Sequence, residues 1–236
     1  MKLRAVTLAL VLLSPFTVAA AFAQFPQLPG FGSASKLNDT QIASGLKQAL
    51  SVGTENAVKL VAKPGGYLDN SAIKIGLPSN LHPVEQILRA AGQGAKIDGF
   101  VASMNHAAES AAPAAAGIFA DAVKQMTIED ARKLLNGGNT SITDYFRSKT
   151  SASLAAAFRP HVEAAMKSNG VTQQYQSLAG QLPSLPFMKS SSLDINTYVV
   201  NKALDGLFYM LGQQEQQIRK DPAARTTSLL KQVFSR

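Results

Sequence analysis

One short segment of the sequence places aromatic and charged side chains together. The run Asp144-Tyr145-Phe146-Arg147-Ser148-Lys149 sets two aromatic rings beside two cations. Rings and cations in this combination can hold an anionic or aromatic ligand. An amphipathic helix with buried rings and solvated cations explains the same residues without a ligand. Tyr145, Arg147 and Lys149 are therefore candidate ligand-binding residues, with the amphipathic helix as the alternative.

A second candidate is the carboxylate of Asp205, which lies in the apolar segment Ala203-Leu204-Asp205-Gly206-Leu207-Phe208. An unpaired charge is costly to bury, so we expect a cation beside it, from Lys202, Arg147 or Arg159. Such a pair is either a structural pin or an element of a binding site. The full set of candidate ligand-binding residues is Asp121, Tyr145, Arg147, Lys149 and Asp205.

Acid–base catalysis would need two carboxylates that converge in one pocket with perturbed pKa values. The sequence offers Asp121, Glu129, Asp144 and Asp205 for this work. It contains no G-x-S-x-G motif, and no serine is linked to a base. No catalytic residue and no cofactor are predicted.

Metal ligands and anion cradles are weakly indicated. His82, His106 and His161 are far apart, and none has a second histidine at helical spacing. His106 and Glu109 share a helical face, a pattern more typical of a surface or capping contact. Gly137-Gly138 followed by Thr140-Ser141 either presents backbone N–H groups to an anion or forms a C-cap followed by an N-cap.

The first 23 residues have the features of an export signal. Lys2 and Arg4 precede an apolar run, and Ala21-Phe22-Ala23 forms a small-x-small cleavage site. The run is too short to span a bilayer, and no later segment is long enough. We predict cleavage after Ala23 and a periplasmic protein with no membrane span, with full secretion as the alternative.

The composition of the chain excludes several kinds of site and one class of partner. The chain contains no cysteine, which excludes disulfides, thiolate metal sites and a lipid anchor on a cysteine. Its formal charge of +8 becomes +6 (21 basic minus 15 acidic residues) once Lys2 and Arg4 are removed. The basic residues are scattered rather than clustered, and the protein is exported, so nucleic acid is not an expected partner.

Hydrophobic periodicity and capping signals predict an all-α protein, a compact multi-helix bundle. Residues 24–36 read as a flexible leader and residues 37–236 as a single helical domain. Short helices begin at Pro83 and after Thr127, Pro113 either kinks the preceding helix or restarts it, and Ile73-Lys74-Ile75 is the one strand-like piece. Further helices are predicted at about 39–62, 95–112, 141–149, 151–169, 172–182, 194–219 and 223–234, the last of them short, with a linker at 183–192.

Four parts of the sequence combine in a specific pattern. The first runs from Asp121 to Ala131 and leads into Leu134-Leu135-Asn136-Gly137-Gly138, and the second is Thr143 to Arg147 with Lys149-Thr150. The third is Phe158-Arg159-Pro160, and the fourth is Lys202 to Phe208 followed by Gln214-Glu215 and Ile218 to Arg225. Together they resemble a bacterial exported family catalogued as domain of unknown function 4197. The resemblance covers about Leu37 to Phe234. It implies an exported helical protein and supplies no catalytic residues. Some relatives carry a lipid-anchor cysteine after the signal, which this chain lacks.

These observations favour an exported, non-enzymatic binding or interaction protein of the bacterial envelope. Its candidate partners are an anionic small molecule, a peptide or an envelope component. The alternatives are a structural or oligomeric envelope protein and a carboxylate-dependent enzyme. Convergence of Asp121, Tyr145, Arg147 and Asp205 around one cavity would indicate a site, whereas dispersal would indicate a helical scaffold.

Overall fold

The computed structural model describes residues 38–168, 170, 173, 194–221 and 231. Regular structure within these ranges is helical and includes no strand, which confirms the all-α prediction. None of the described helices is long and apolar enough to cross a bilayer. The helices are α1 (Asp39–Ala62), α2 (His82–Ala90), α3 (Gly94–Ala111), α4 (Ala115–Gln125), α5 (Ile128–Leu135), α6 (Ser141–Ser168) and α7 (Ile195–Lys220), with short 3-10 turns at Ser79–Leu81 and Ala112–Ala114.

Several predictions concern residues outside this description. They are the signal peptide, the leader, the linker at 183–192 and the helices predicted at 172–182 and 223–234, of which the structure describes only residues 173 and 231.

Side-chain caps set the starts of three helices, as the sequence predicts. At α1, the Asn38 carboxamide accepts from the Gln41 N–H at 2.8 Å and Gln41 accepts from the Asn38 N–H at 2.9 Å. Thr127 and Asp130 form the same reciprocal box at the start of α5. Asp194 caps α7. These boundaries therefore follow from local hydrogen bonding alone.

The predicted pair of helices at 141–149 and 151–169 is wrong, because α6 is one continuous helix. Nothing in the sequence around Thr150 breaks it, and the Thr150 hydroxyl donates to the Phe146 carbonyl one turn earlier at 2.6 Å. Pro160 lies inside the helix on an exposed face. Water can therefore satisfy the carbonyl that the missing proline N–H leaves unpaired.

The core is built around α7, which packs against α6, α1 and α3. Its centre is a cluster of three buried aromatic rings from α4, α6 and α7. Phe119 lies edge-to-face against Phe146 and Phe208, with ring centroids 5.3 Å and 6.2 Å apart. Such pairs add about 0.5–1.5 kcal/mol beyond the burial of their area. These ring contacts fix the positions of α4, α6 and α7 relative to one another.

Two polar side chains of α3 hold the irregular segment between α1 and α2. The Asn105 carboxamide accepts from the Ile75 N–H at 2.8 Å and donates to the Ile75 carbonyl at 2.9 Å. Glu109 accepts from the backbone N–H groups of Tyr67 and Leu68 at 3.0 and 3.1 Å. The buried backbone of this segment thus gains partners that no strand supplies.

The ring of Tyr67 inserts between this segment and α7, where a glycine makes room for it. Its hydroxyl donates to the Ala203 carbonyl at 2.6 Å, and burial raises the pKa of this phenol, with Glu109 adding to the effect. A Cβ on Gly206 would lie 2.6 Å from Cε1 of Tyr67 and 3.1 Å from Cβ of Ile73. The absence of a side chain at Gly206 is therefore a packing requirement.

We expect Gly206→Ala to lower the free energy of unfolding by about 1–3 kcal/mol, because the added methyl group overpacks the buried Tyr67 ring. The matched control is Gly53→Ala in α1, where a Cβ would lie an ordinary 3.6 Å from Cδ1 of Ile218. Alanine is the better helix former by about 1 kcal/mol, so the control should gain stability. Urea unfolding measures both, and equal effects would contradict this packing.

We expect the free energy of unfolding to depend on pH through the Glu109 carboxylate. Burial alone would raise its pKa, but hydrogen bonds from His106, Leu68 and Tyr67 outweigh burial and hold the pKa below its ordinary value of 4.5. A carboxyl with a lowered pKa in the folded state contributes stability above its unfolded pKa, and this is lost as pH falls through the folded pKa. We expect the advantage of the wild type over Glu109→Gln to shrink on acidification, measured by urea unfolding from neutral pH downwards. A constant difference would refute this role for the charge.

Candidate functional site

A cleft of about 460 Å³ lies between α4, α5 and α6. Helices form its walls except at Thr127, which precedes α5, so the positions of nearly all of its side chains follow from helix packing. Such a volume lies within the usual range of small-ligand sites. The residues that line it are Ile118, Asp121, Ala122, Gln125, Thr127, Asp130, Tyr145, Lys149, Thr150 and Ser153.

The wall formed by α6 presents hydrogen-bond donors. Tyr145, Lys149 and Ser153 follow one another at intervals of four residues and so share one helical face. They carry a phenol, an ammonium and a hydroxyl group. Within the described part of the chain, none of these three groups donates to a protein acceptor. The donors therefore remain available to a ligand.

The opposite wall, formed by α4 and α5, presents acceptors. Asp121 and Gln125 are four residues apart on α4, and Asp130 belongs to the first turn of α5. Lys124 donates to one Asp121 oxygen at 3.1 Å, and Thr127 donates to one Asp130 oxygen. The second oxygen of each carboxylate and the Gln125 carboxamide have no hydrogen bond to another described residue.

Electrostatics connect the two walls at Asp130. The backbone N–H and hydroxyl of Thr127 hold the pKa of Asp130 below its ordinary value, and the nearby Lys149 acts in the same direction. Burial raises the pKa of the Tyr145 phenol, and Asp130 adds to this rise. The Lys149 ammonium lies 6.0 Å from the centre of the Tyr145 ring. At neutral pH the site thus holds a carboxylate and a protonated phenol.

The structure brings together three of the five candidate residues. Asp121, Tyr145 and Lys149 line the cleft, whereas Arg147 and Asp205 lie outside its lining. The separation follows from helix geometry, because residues two apart on a helix point to different faces. Arg147 therefore cannot share the face of Tyr145 and Lys149. The predicted cluster is divided between the cleft and a second surface.

Arg147 and Asp205 form that second surface at the contact between α6 and α7. Their side chains are 3.4 Å apart and are 46% and 60% exposed, so Asp205 is not a buried charge. Of the cations that the sequence offered, its partner is Arg147. The guanidinium also lies 4.5 Å from the centre of the Phe208 ring. The pair therefore packs over the edge of the aromatic core, which favours a structural role over a binding role for Asp205.

The four carboxylates considered for acid–base catalysis do not converge. Asp121 lines the cleft, but Glu129 pairs with Lys133 at 2.8 Å, and Asp144 accepts from the Thr140 hydroxyl at 3.1 Å. The second carboxylate that lines the cleft with Asp121 is Asp130. In the sequence, Asp130 is recognised only as part of a capping box.

Glu215 anchors the α6 wall from the central helix. Its side chain is 1% exposed, and its carboxylate accepts from the N–H groups of Ile142 and Thr143 at 3.1 and 2.9 Å. It also accepts from the Thr143 hydroxyl at 2.8 Å. The helix start after Gly137-Gly138 therefore does bind an anion, and that anion belongs to the protein itself.

Arg219 completes this anchor by joining α5 to it. It donates to Glu215 at 3.0 Å, to the Leu134 and Leu135 carbonyls at 2.7 and 3.3 Å, and to the Ser141 hydroxyl at 2.8 Å. These carbonyls belong to the last turn of α5, which has no helical partners for them. One ion pair on α7 thus caps the end of α5 and the start of α6.

No group of three or more histidine, aspartate or glutamate side chains among the described residues is arranged to hold a metal ion. His106 instead lies 2.9 Å from Glu109, whose carboxylate binds the irregular segment between α1 and α2.

The comparisons with known proteins identify a family. The family model described as "Protein of unknown function (DUF4197)" matches residues 36–235, and the chain belongs to this family. No curated protein and no solved structure matches the chain. The resemblance drawn from the sequence motifs is therefore confirmed.

We expect Glu215→Ala to lower the free energy of unfolding by about 3–5 kcal/mol, because it removes the buried carboxylate that pairs with Arg219 and leaves two helix N–H groups buried without their acceptor. The matched control is Glu55→Ala, which removes an exposed glutamate with the same i, i+4 spacing to Lys59. Exposed pairs contribute little, so the control should unfold like the wild type. Urea unfolding compares the two variants, and similar losses would mean that Glu215 is not an anchor.

Proposed function

We propose that this member of the DUF4197 family is an exported, non-enzymatic binding protein of the bacterial envelope that holds a small polar ligand in the cleft between α4, α5 and α6. The observation that carries the proposal is the set of unused polar groups on the two cleft walls. Tyr145, Lys149 and Asp121 meet there without completing their hydrogen bonds within the described residues.

Unused polar groups in a concave site favour a ligand-binding role. Buried polar side chains that serve the fold find their partners inside the protein, as Glu215 and Asn105 do. Asp121 and Lys149 are instead exposed in the cleft, and helices hold them in place, so their unused donors and acceptors can contact a solute. Ligand pockets of this size typically combine an apolar floor with a few such polar groups, and Ile118 and Ala122 supply apolar surface here.

Binding is favoured over acid–base catalysis because of the state of the cleft carboxylates. A general acid at neutral pH needs a pKa raised towards the working pH. Thr127 lowers the pKa of Asp130 instead. Asp121 is exposed and paired with Lys124. Both groups are suited to act as fixed negative charges that orient a ligand.

The N-terminal sequence supports the location in this proposal. Lys2 and Arg4, the apolar run that follows and the cleavage site at Ala21-Phe22-Ala23 have the composition of a signal peptide. We place the mature protein, from Gln24, in the periplasm. Its ligand would then be a solute or component of that compartment.

We expect a ligand to raise the Tm of the mature protein when carboxylic acids, amines, amino acids, short peptides and sugars are screened by thermal shift. The rise should be lost in Lys149→Met and in Asp121→Asn, because both side chains line the cleft and are exposed. Lys59→Met is the control, since Lys59 pairs with Glu55 on α1, outside the cleft lining. A screen in which no ligand class moves the Tm, or in which Lys149→Met responds like the control, would refute the proposal.

A further inference from the structure

We propose that the cleft recognises a zwitterion of the amino-acid type, either an α-amino acid or a short peptide. Its carboxylate would lie against Lys149 and its ammonium against Asp121 and Asp130. This inference rests on the proposed function of the cleft as a ligand site and specifies the chemical class of its ligand.

The first step is the opposite polarity of the two walls. The α6 wall carries donors in a row at Tyr145, Lys149 and Ser153. The facing α4–α5 wall carries carboxylates at Asp121 and Asp130. A ligand that satisfies both walls needs an acceptor group at one end and a donor group at the other.

The second step is the charge balance. Two carboxylates and one ammonium line the cleft, so a simple anion would meet Asp130 and the Asp121 oxygen that Lys124 does not bind, and a simple cation would meet Lys149. Like charges in close contact cost free energy, which disfavours both of these ligand classes. A ligand that carries one charge of each sign, a few ångströms apart, avoids both penalties.

The third step is that the two walls do not neutralise each other. Lys149 is close enough to influence Asp130 electrostatically, yet the described residues include no ion pair between them. The charges therefore face each other across open space rather than in contact. A ligand whose own charges complement both can enter this space and strengthen the attraction by excluding water.

The fourth step concerns the rest of the ligand. Ile118 and Ala122 lie four residues apart on α4 and are partly buried, and the Tyr145 ring faces the same cleft. These surfaces can hold an apolar or aromatic side chain. The cleft thus has a place for each part of an amino acid or dipeptide: two charged ends and a side chain.

The test uses isothermal titration calorimetry of the mature protein with L-alanyl-L-phenylalanine, its N-acetyl derivative and its C-terminal amide. We expect the free dipeptide to bind and each blocked derivative to bind about tenfold more weakly, because each lacks one charge. Lys149→Met should weaken the free dipeptide about tenfold but leave the amide unchanged. Asp121→Asn should weaken the free dipeptide but leave the N-acetyl derivative unchanged.

The controls are Lys59→Met and Glu55→Gln, which change the same kinds of charge in an exposed pair on α1, outside the cleft lining, and should leave dipeptide binding unchanged. Circular dichroism checks that every variant is folded.

Two outcomes would overturn the inference. One is equal binding of the blocked and free dipeptides. The other is no dipeptide binding at millimolar concentration, while citrate, spermidine or glucose binds in a way that Lys149→Met abolishes. The second outcome would leave the cleft as a ligand site of another class. Failure of every probe in the wider thermal-shift screen is what would refute the proposed function itself.

Discussion

The buried carboxylate of Glu215 is the interaction on which the arrangement of the other helices depends. It receives two backbone N–H groups from the first turn of α6 and pairs with Arg219, which in turn caps α5. An unpaired charge in this position would be strongly destabilising, so the pair tolerates few other arrangements of the chain around it. Two helices that form walls of the cleft, α5 and α6, are thereby held at one point on the central helix.

Side chains that complete their hydrogen bonds inside the protein differ in kind from those that line the cleft. Glu109 and Glu215 each neutralise helix or loop N–H groups that would otherwise be buried without partners. Asp121, Tyr145 and Lys149 also lie on helices but leave polar groups unused within the described residues. The first group accounts for the fold, and the second is free to contact a solute. A ligand in the cleft is the role that we propose for it.

Local signals in the sequence predicted the helix starts well, because a cap such as Asn38 or Thr127 acts over three residues. Contacts between residues that are far apart in the chain could not be predicted from these local signals. Glu215 reads as an ordinary partner of Arg219 at i, i+4, since the N–H groups that it also binds are more than 70 residues away. Asp130 reads only as a capping residue for the same reason. Its place beside the cleft depends on how α5 packs on α6, which no local pattern encodes.

Hydrogen exchange at the backbone amides of Ile142 and Thr143 tests most directly whether Glu215 holds the start of α6. First-turn amides have no partner within their own helix and ordinarily exchange through local fraying. Donation to a buried carboxylate predicts that both amides exchange only through global unfolding, far more slowly than the amides of Gly94 and Ala95 in the first turn of α3, which has no side-chain cap. Exchange as fast as at Gly94 and Ala95 would contradict the anchor.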